Sequence, residues 1–152
     1  MEAKIKGLKE AQRKMDQTAR DLSGTPTVEA MRDATLVVVR AARQNAPVDT
    51  GRLRASIMPE VVQRDKVVMG IVGSPVVYAP YMELGTRPHW PPLKALEVWA
   101  RRHGTVAFVI ARAIAKKGTR ARKFLWNAVQ DNRNKIGEIL SSAIGKIVKK
   151  RE

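Results

Sequence analysis

Apolar residues recur at three- and four-residue steps along most of this chain and switch to strict alternation in one place, between Val61 and Val72. Steps of three and four put side chains on one stripe of a helix, whereas alternation puts them on one face of a strand. The chain is therefore confined to an α+β fold that is mostly helical, with a small antiparallel β-hairpin packed on helices and long helices at both ends. Within the alternating stretch Val67, Met69 and Ile71 interleave with Val68, Gly70 and Val72, and polar Arg64-Asp65 separates them from Val61-Val62. Two such runs joined by a polar turn read as a hairpin, and Ser74-Pro75 ends it.

The flanking stretches carry helix signals. In residues 1–22 a narrow stripe of Leu8, Ala11, Met15, Ala19 and Leu22 suits a seam for one partner helix, stopped by Ser23-Gly24. Thr25 as a hydroxyl cap with Pro26 in the first turn predicts a second helix to about Asn45. Its buried side would carry Val28, Met31, Thr35, Val38, Val39 and Ala42, and Pro47 would end it. Leu53 and Ile57 support a short helical turn, and residues 78–86 a short helix closed by Gly85. Pro91-Pro92 opens a helix bearing Leu93, Leu96 and Trp99 up to Gly104. Thr105 is expected to cap another, which ends at Gly118. From about Arg122 a long stripe through Leu125, Val129, Ile136, Leu140, Ile144 and Ile147 predicts a C-terminal helix over 122–150, weakened near Asn132-Arg133. No repeat or low-complexity linker divides the 152 residues, so a single domain is expected.

Charge is the most informative part of the composition. Residues 1–86 hold 13 basic and 10 acidic side chains, while residues 87–152 hold 16 and 4. An excess so unevenly placed suggests a polyanion or an acidic partner surface. Its densest part is Arg112, Lys116, Lys117, Arg120, Arg122 and Lys123, an acid-free cluster straddling Gly118 and suited to sequence-blind phosphate contact. Aromatic residues are 5% of the chain, too few to suggest a base-stacking platform.

Several chemistries lack their residues. Without cysteine there is no disulfide framework, thiolate metal site or cysteine nucleophile. His89 and His103 stand at no zinc-binding spacing, so neither a metal nor another cofactor is expected. The serines lie in no nucleophile elbow and the glycines form no phosphate loop. Asp49 and Glu83 could be drawn as a carboxylate pair, but each has a plainer place in a turn and a short helix. An enzyme is not expected. No apolar run is long enough to span a bilayer, and residues 1–11 lack the continuous stretch of a signal peptide, so neither a membrane nor export is expected.

Three segments carry a family likeness. Ala46–Ile57 reads A-P-V-D-T-G-R-L-R-A-S-I, Tyr78–Thr86 reads Y-A-P-Y-M-E-L-G-T, and Ala121–Val129 reads A-R-K-F-L-W-N-A-V. Together they resemble the neck or tail-completion proteins of long-tailed double-stranded DNA bacteriophages, the gene-ten family of HK-type lambdoid phages, distantly similar to the lambda minor tail protein Z. The first motif is matched at Pro47, Asp49, Thr50, Gly51, Leu53 and Arg54. The second is matched at Tyr78, Ala79, Glu83, Gly85 and Thr86, and the third includes Phe124 and Leu125. Leu84 stands where an aromatic is common, and Asn127 where proline often occurs. The likeness spans roughly residues 25–130, with 88–118 as a longer helical variant of the middle loop.

The resemblance implies a structural virion protein that completes the top of the tail and joins it to the DNA-filled head, as a homo-oligomeric ring, sixfold by analogy, around the DNA channel. Its implied partners are copies of itself, other neck, connector and tail-tube proteins, and packaged double-stranded DNA held without sequence preference. It would reside in the virion and, during assembly, in the host cytoplasm. A tail-terminator ring and a small basic DNA-binding protein are the alternatives. Asp49-Thr50-Gly51 would form a rigid turn, and Tyr78 with Glu83 would anchor the short helix on the sheet or on a neighbouring subunit.

Overall fold

In a computed structural model, residues 8–22, 24–65 and 67–149 are described. Among them, eight helices and one two-stranded sheet follow the order α1 (Leu8–Leu22), α2 (Thr25–Asn45), α3 (Arg52–Ser56), β1 (Met58–Arg64), β2 (Val67–Gly73), α4 (Ala79–Leu84), α5 (Leu93–Arg102), α6 (Ala107–Lys117), α7 (Phe124–Asp131) and α8 (Arg133–Lys149). The fold is mostly helical α+β, and the hairpin is antiparallel, with Val62 opposite Met69 and Glu60 opposite Ile71. The start of the expected first helix, residues 1–7, lies outside the described residues.

Helix α2 is the axis of the molecule. It packs against β1, β2, α7 and α8, with lesser contacts to α1 and α3. Its buried stripe is Ala30, Ala34, Thr35, Val38, Val39 and Ala42. The hydroxyl of Thr35 costs nothing there, because it donates to the Arg32 carbonyl at 2.8 Å. The core adds Ala46, Leu53, Ile57, Ala79, Phe124 and Ala128, with Phe124 and Ile57 the largest fully buried side chains. Each of the three motif segments thus contributes to one hydrophobic cluster on α2.

The hairpin turns its lesser face to α2. A Cβ on Gly70 would strike the Thr35 methyl and the Met31 side chain, so glycine lets β2 lie close on the helix. The opposite face leaves Met58, Val67, Met69 and Ile71 exposed.

Three helix ends differ from the sequence expectation. Gly24, not Thr25, holds the cap position of α2, and its carbonyl accepts from Thr27 and Val28 at 3.1 and 3.2 Å. Thr105 does not cap α6. Its N–H closes α5 by donating to the Ala100 carbonyl at 3.0 Å, and α6 starts from the Val106 carbonyl. The C-terminal stripe, read as one helix over 122–150, is two helices, the first starting at Phe124. Asn132 divides them: its side-chain amide donates to the Ala128 carbonyl at 2.9 Å, while its own carbonyl accepts from Ile136. A short amide side chain competes in this way with the helical ladder.

Candidate functional site

The motif residues assemble into two adjoining features, a helix joint and a cleft. The joint begins with α7. Lys123, in its cap position, has a left-handed φ of 51° and supplies no side-chain cap, leaving the first N–H groups of α7 without a local partner. Glu83, at the end of α4, supplies one from forty residues away. Its Oε2 accepts from the Leu125 N–H and its Oε1 from the Trp126 N–H, both at 2.9 Å. A carboxylate at this end of a helix satisfies orphan donors and meets the positive end of the helix dipole.

Backbone pairing extends the joint. Arg122 N–H donates to Met82 O at 2.9 Å and Lys123 N–H to Glu83 O at 3.1 Å. Thr86 and Thr119 form an isolated antiparallel bridge, and the Thr119 hydroxyl donates to that of Thr86 at 3.0 Å. Gly85 and Gly118 lie where the two segments cross, with φ of 73° and 69°. A Cβ on Gly85 would overlap the Thr119 carbonyl, and one on Gly118 the Thr86 carbonyl. Both positions need glycine for space and for conformation. The second and third motifs are thus two halves of one joint.

The cleft lies beside it. Pro47–Leu53, Tyr78, Met82, Trp99, His103 and Arg122 line an opening of about 470 Å³. Gly51, with a φ of 80°, makes the turn that starts α3, and its carbonyl accepts from Ala55 at 2.9 Å. Thr50 Oγ1 lies 3.5 Å from the Arg52 N–H. Asp49 Oδ1 accepts from Arg102 Nη1 at 2.8 Å, tying the turn to the end of α5. Trp99 and His103 stack with ring centroids 3.9 Å apart. Tyr78, 40% exposed, holds the cap position of α4, where its carbonyl accepts from Met82. Tyr78 lines both this cleft and a neighbouring groove with Tyr81 and His89, whereas Glu83 is spent on α7. Leu53 is buried, whereas Arg54 is exposed beside Arg40 and Arg43 along another groove.

The basic cluster is divided. Arg112, Lys116 and Lys117 belong to α6, Arg120, Arg122 and Lys123 to the segment leading into α7, and Arg122 alone of the six lines the cleft. All six side chains are exposed, with no ion pair among the described residues. One structural residue escaped the sequence reading. Arg43 Nε and Nη2 both donate to the Ile57 carbonyl, at 3.2 and 2.8 Å, pinning α3 and β1 to α2. The only signal for it was an arginine in the last turn of a helix.

Neither carboxylate is arranged for acid–base chemistry: Glu83 spends both oxygens on α7, and Asp49 pairs with Arg102. Among the described residues no group of His, Asp and Glu could hold a metal ion, and no helix is long and apolar enough to cross a membrane.

Residues 6–85, a little over half of the chain, match the bacteriophage HK97-gp10 family of tail components. The chain belongs to this family. The match contains the first motif and most of the second and ends at Gly85, on the crossing that leads into α5 and α6. The third motif, joined to the second by Glu83, lies beyond it. No curated protein and no solved structure matches the chain. Membership makes this protein a bacteriophage tail component, a structural part of the virion.

Proposed function

We propose that this tail component is a ring subunit that completes the top of the tail and joins it to the DNA-filled head. The observation that carries the reading is the apolar surface the chain leaves open on separate elements. Met58, Val67, Met69 and Ile71 lie bare on the hairpin, and Trp90, Val98, Val106, Phe108 and Val109 on and beside α5 and α6. Apolar surface spread over distinct faces suits a subunit with neighbours on more than one side. Head-to-tail contact through two different faces closes into a ring when the rotation allows. The motif residues fit a structural part, since they are spent on a core, a joint and a cleft wall.

The wall of the DNA channel in this reading is basic and sequence-blind, drawn from the C-terminal half with its excess positive charge. Its other partners are connector and tail-tube proteins, and assembly takes place in the host cytoplasm. Sedimentation of the nuclease-treated protein at moderate salt, with negative-stain imaging, tests the assignment. A discrete closed oligomer seen as rings is expected, and a monomer at every concentration overturns it. The DNA-binding alternative predicts that same monomer, together with tight duplex binding that falls steeply with salt.

A further inference from the structure

Helices α5 and α6 pack chiefly on each other, and this leaves the outer face of α6 without a partner. That face is apolar at its start and basic along its length. Phe108 and Val109 are 52% and 59% exposed, with Trp90 edge-on to Phe108 at 5.7 Å between ring centroids. Arg112 and Lys116 follow Phe108 at successive four-residue steps, both exposed and neither in an ion pair among the described residues. The mixture is informative. Half-exposed aromatic and aliphatic side chains beside cations suit a protein surface that is both apolar and acidic, and they are a poor lining for a passage through which DNA must slide.

The same chain carries such a surface elsewhere. A groove of about 370 Å³ runs between α2 and α8, with Ala30, Ile139 and Ala143 among its lining and Glu29 and Asp33 along the α2 wall. The two carboxylates are exposed and unpaired among the described residues, and Lys146 on the α8 wall lies within 4 Å of neither. Glu29 and Asp33 are four residues apart, as are Arg112 and Lys116, so each pair places its charges about 6 Å apart along one helix face.

We propose that the Phe108-Arg112-Lys116 face of α6 docks into the α2–α8 groove of a second copy of this chain, Arg112 and Lys116 pairing with Glu29 and Asp33. The contact is heterologous, with each copy giving one face and receiving on another. It rests on the ring reading above and assigns that ring's contact. It also removes Arg112 and Lys116 from the DNA-facing candidates and leaves Lys117, Arg120, Arg122 and Lys123.

Paired charge reversals test it by sedimentation at about 0.15 M salt, where surface charges act over roughly 8 Å. Glu29→Lys/Asp33→Lys and Arg112→Glu/Lys116→Glu change only exposed side chains, and circular dichroism checks that both fold. Each variant alone is expected to sediment as a monomer. An equimolar mixture is expected to regain the wild-type oligomer mass, because each reversed face then meets its reversed complement. Variants that keep the wild-type mass, or a mixture that stays monomeric, overturn the contact and leave the ring reading standing. A wild-type protein that is monomeric at every concentration overturns both. Loss of duplex DNA binding by Arg112→Glu/Lys116→Glu with the oligomer mass intact reassigns the α6 face to DNA and overturns the contact.

Discussion

The α2-centred body and the α5–α6 pair bury their apolar side chains very differently. In the body, Phe124, Ile57, Leu53 and Val39 lie in one cluster, closed by Glu83 on α7 and Arg43 on the Ile57 carbonyl. In the α5–α6 pair the buried helical residues are Ala100 and Ala111, while Trp90, Val98, Phe108 and Val109 face outward. The first region closes a hydrophobic cluster and leaves the outer face of its hairpin exposed. The second keeps its larger apolar side chains available for contact. The family match ends where one gives way to the other, at Gly85.

The sharpest way to break this comparison is to truncate one large side chain in each region. Phe124→Ala empties the centre of the body and should cost about 3–5 kcal/mol in urea unfolding. Phe108→Ala removes a half-exposed ring and should cost under about 1 kcal/mol, while reducing self-association. Equal losses of stability would show that the α5–α6 pair shares the core.

The joint between the regions gives the next effects. Gly118→Ala sets a Cβ against the Thr86 carbonyl at a positive φ, a strain of order 1–3 kcal/mol. It should speed hydrogen exchange across residues 86–119 more than in α2. Glu83→Ala removes both acceptors from α7 and should lower the unfolding free energy by about 1–2 kcal/mol. Glu83→Gln, which keeps one acceptor oxygen, should recover part of that loss. A Glu83→Ala protein as stable as the wild type would remove the joint from the account of the fold.

The smallest effect is expected at the Asp49–Arg102 pair, whose side chains are 37% and 44% exposed. Arg102→Ala should change stability by about 0–1 kcal/mol, since water screens such a pair. A larger loss, read in the same urea titration, would mean that the motif turn supports α5 more firmly than this contact accounts for.

Much of the body was legible from local pattern. The later part of the α2 stripe (Thr35, Val38, Val39 and Ala42), the hairpin at the change of period, and the helix ends at Gly85 and Gly118 follow from side-chain spacing and turn chemistry within a few residues. Buried Ala30 and Ala34 were missed for half-buried Val28 and Met31. Where local signals competed, the reading failed. Thr105 was a sound helix cap by type, yet it belongs to the close of α5, and α6 starts one residue later with Val106 in its cap position. Asn132 marked a weak point in a stripe read as one helix, yet its amide reached the Ala128 carbonyl and divided the helix. The grouping of the motif residues was not legible: Pro47 and Tyr78 share a cleft, while Glu83 caps the helix that Phe124 begins.

The sequence by itself determined most of the elements, the hairpin, the uneven charge and the family, because each depends on residue type and short-range spacing. Tertiary structure alone decided that Glu83 would cap a helix 42 residues away, that Arg43 would hold the Ile57 carbonyl, and which apolar residues would remain uncovered. Those outcomes depend on which backbone groups lack partners once the chain is packed, and no local pattern carries that information.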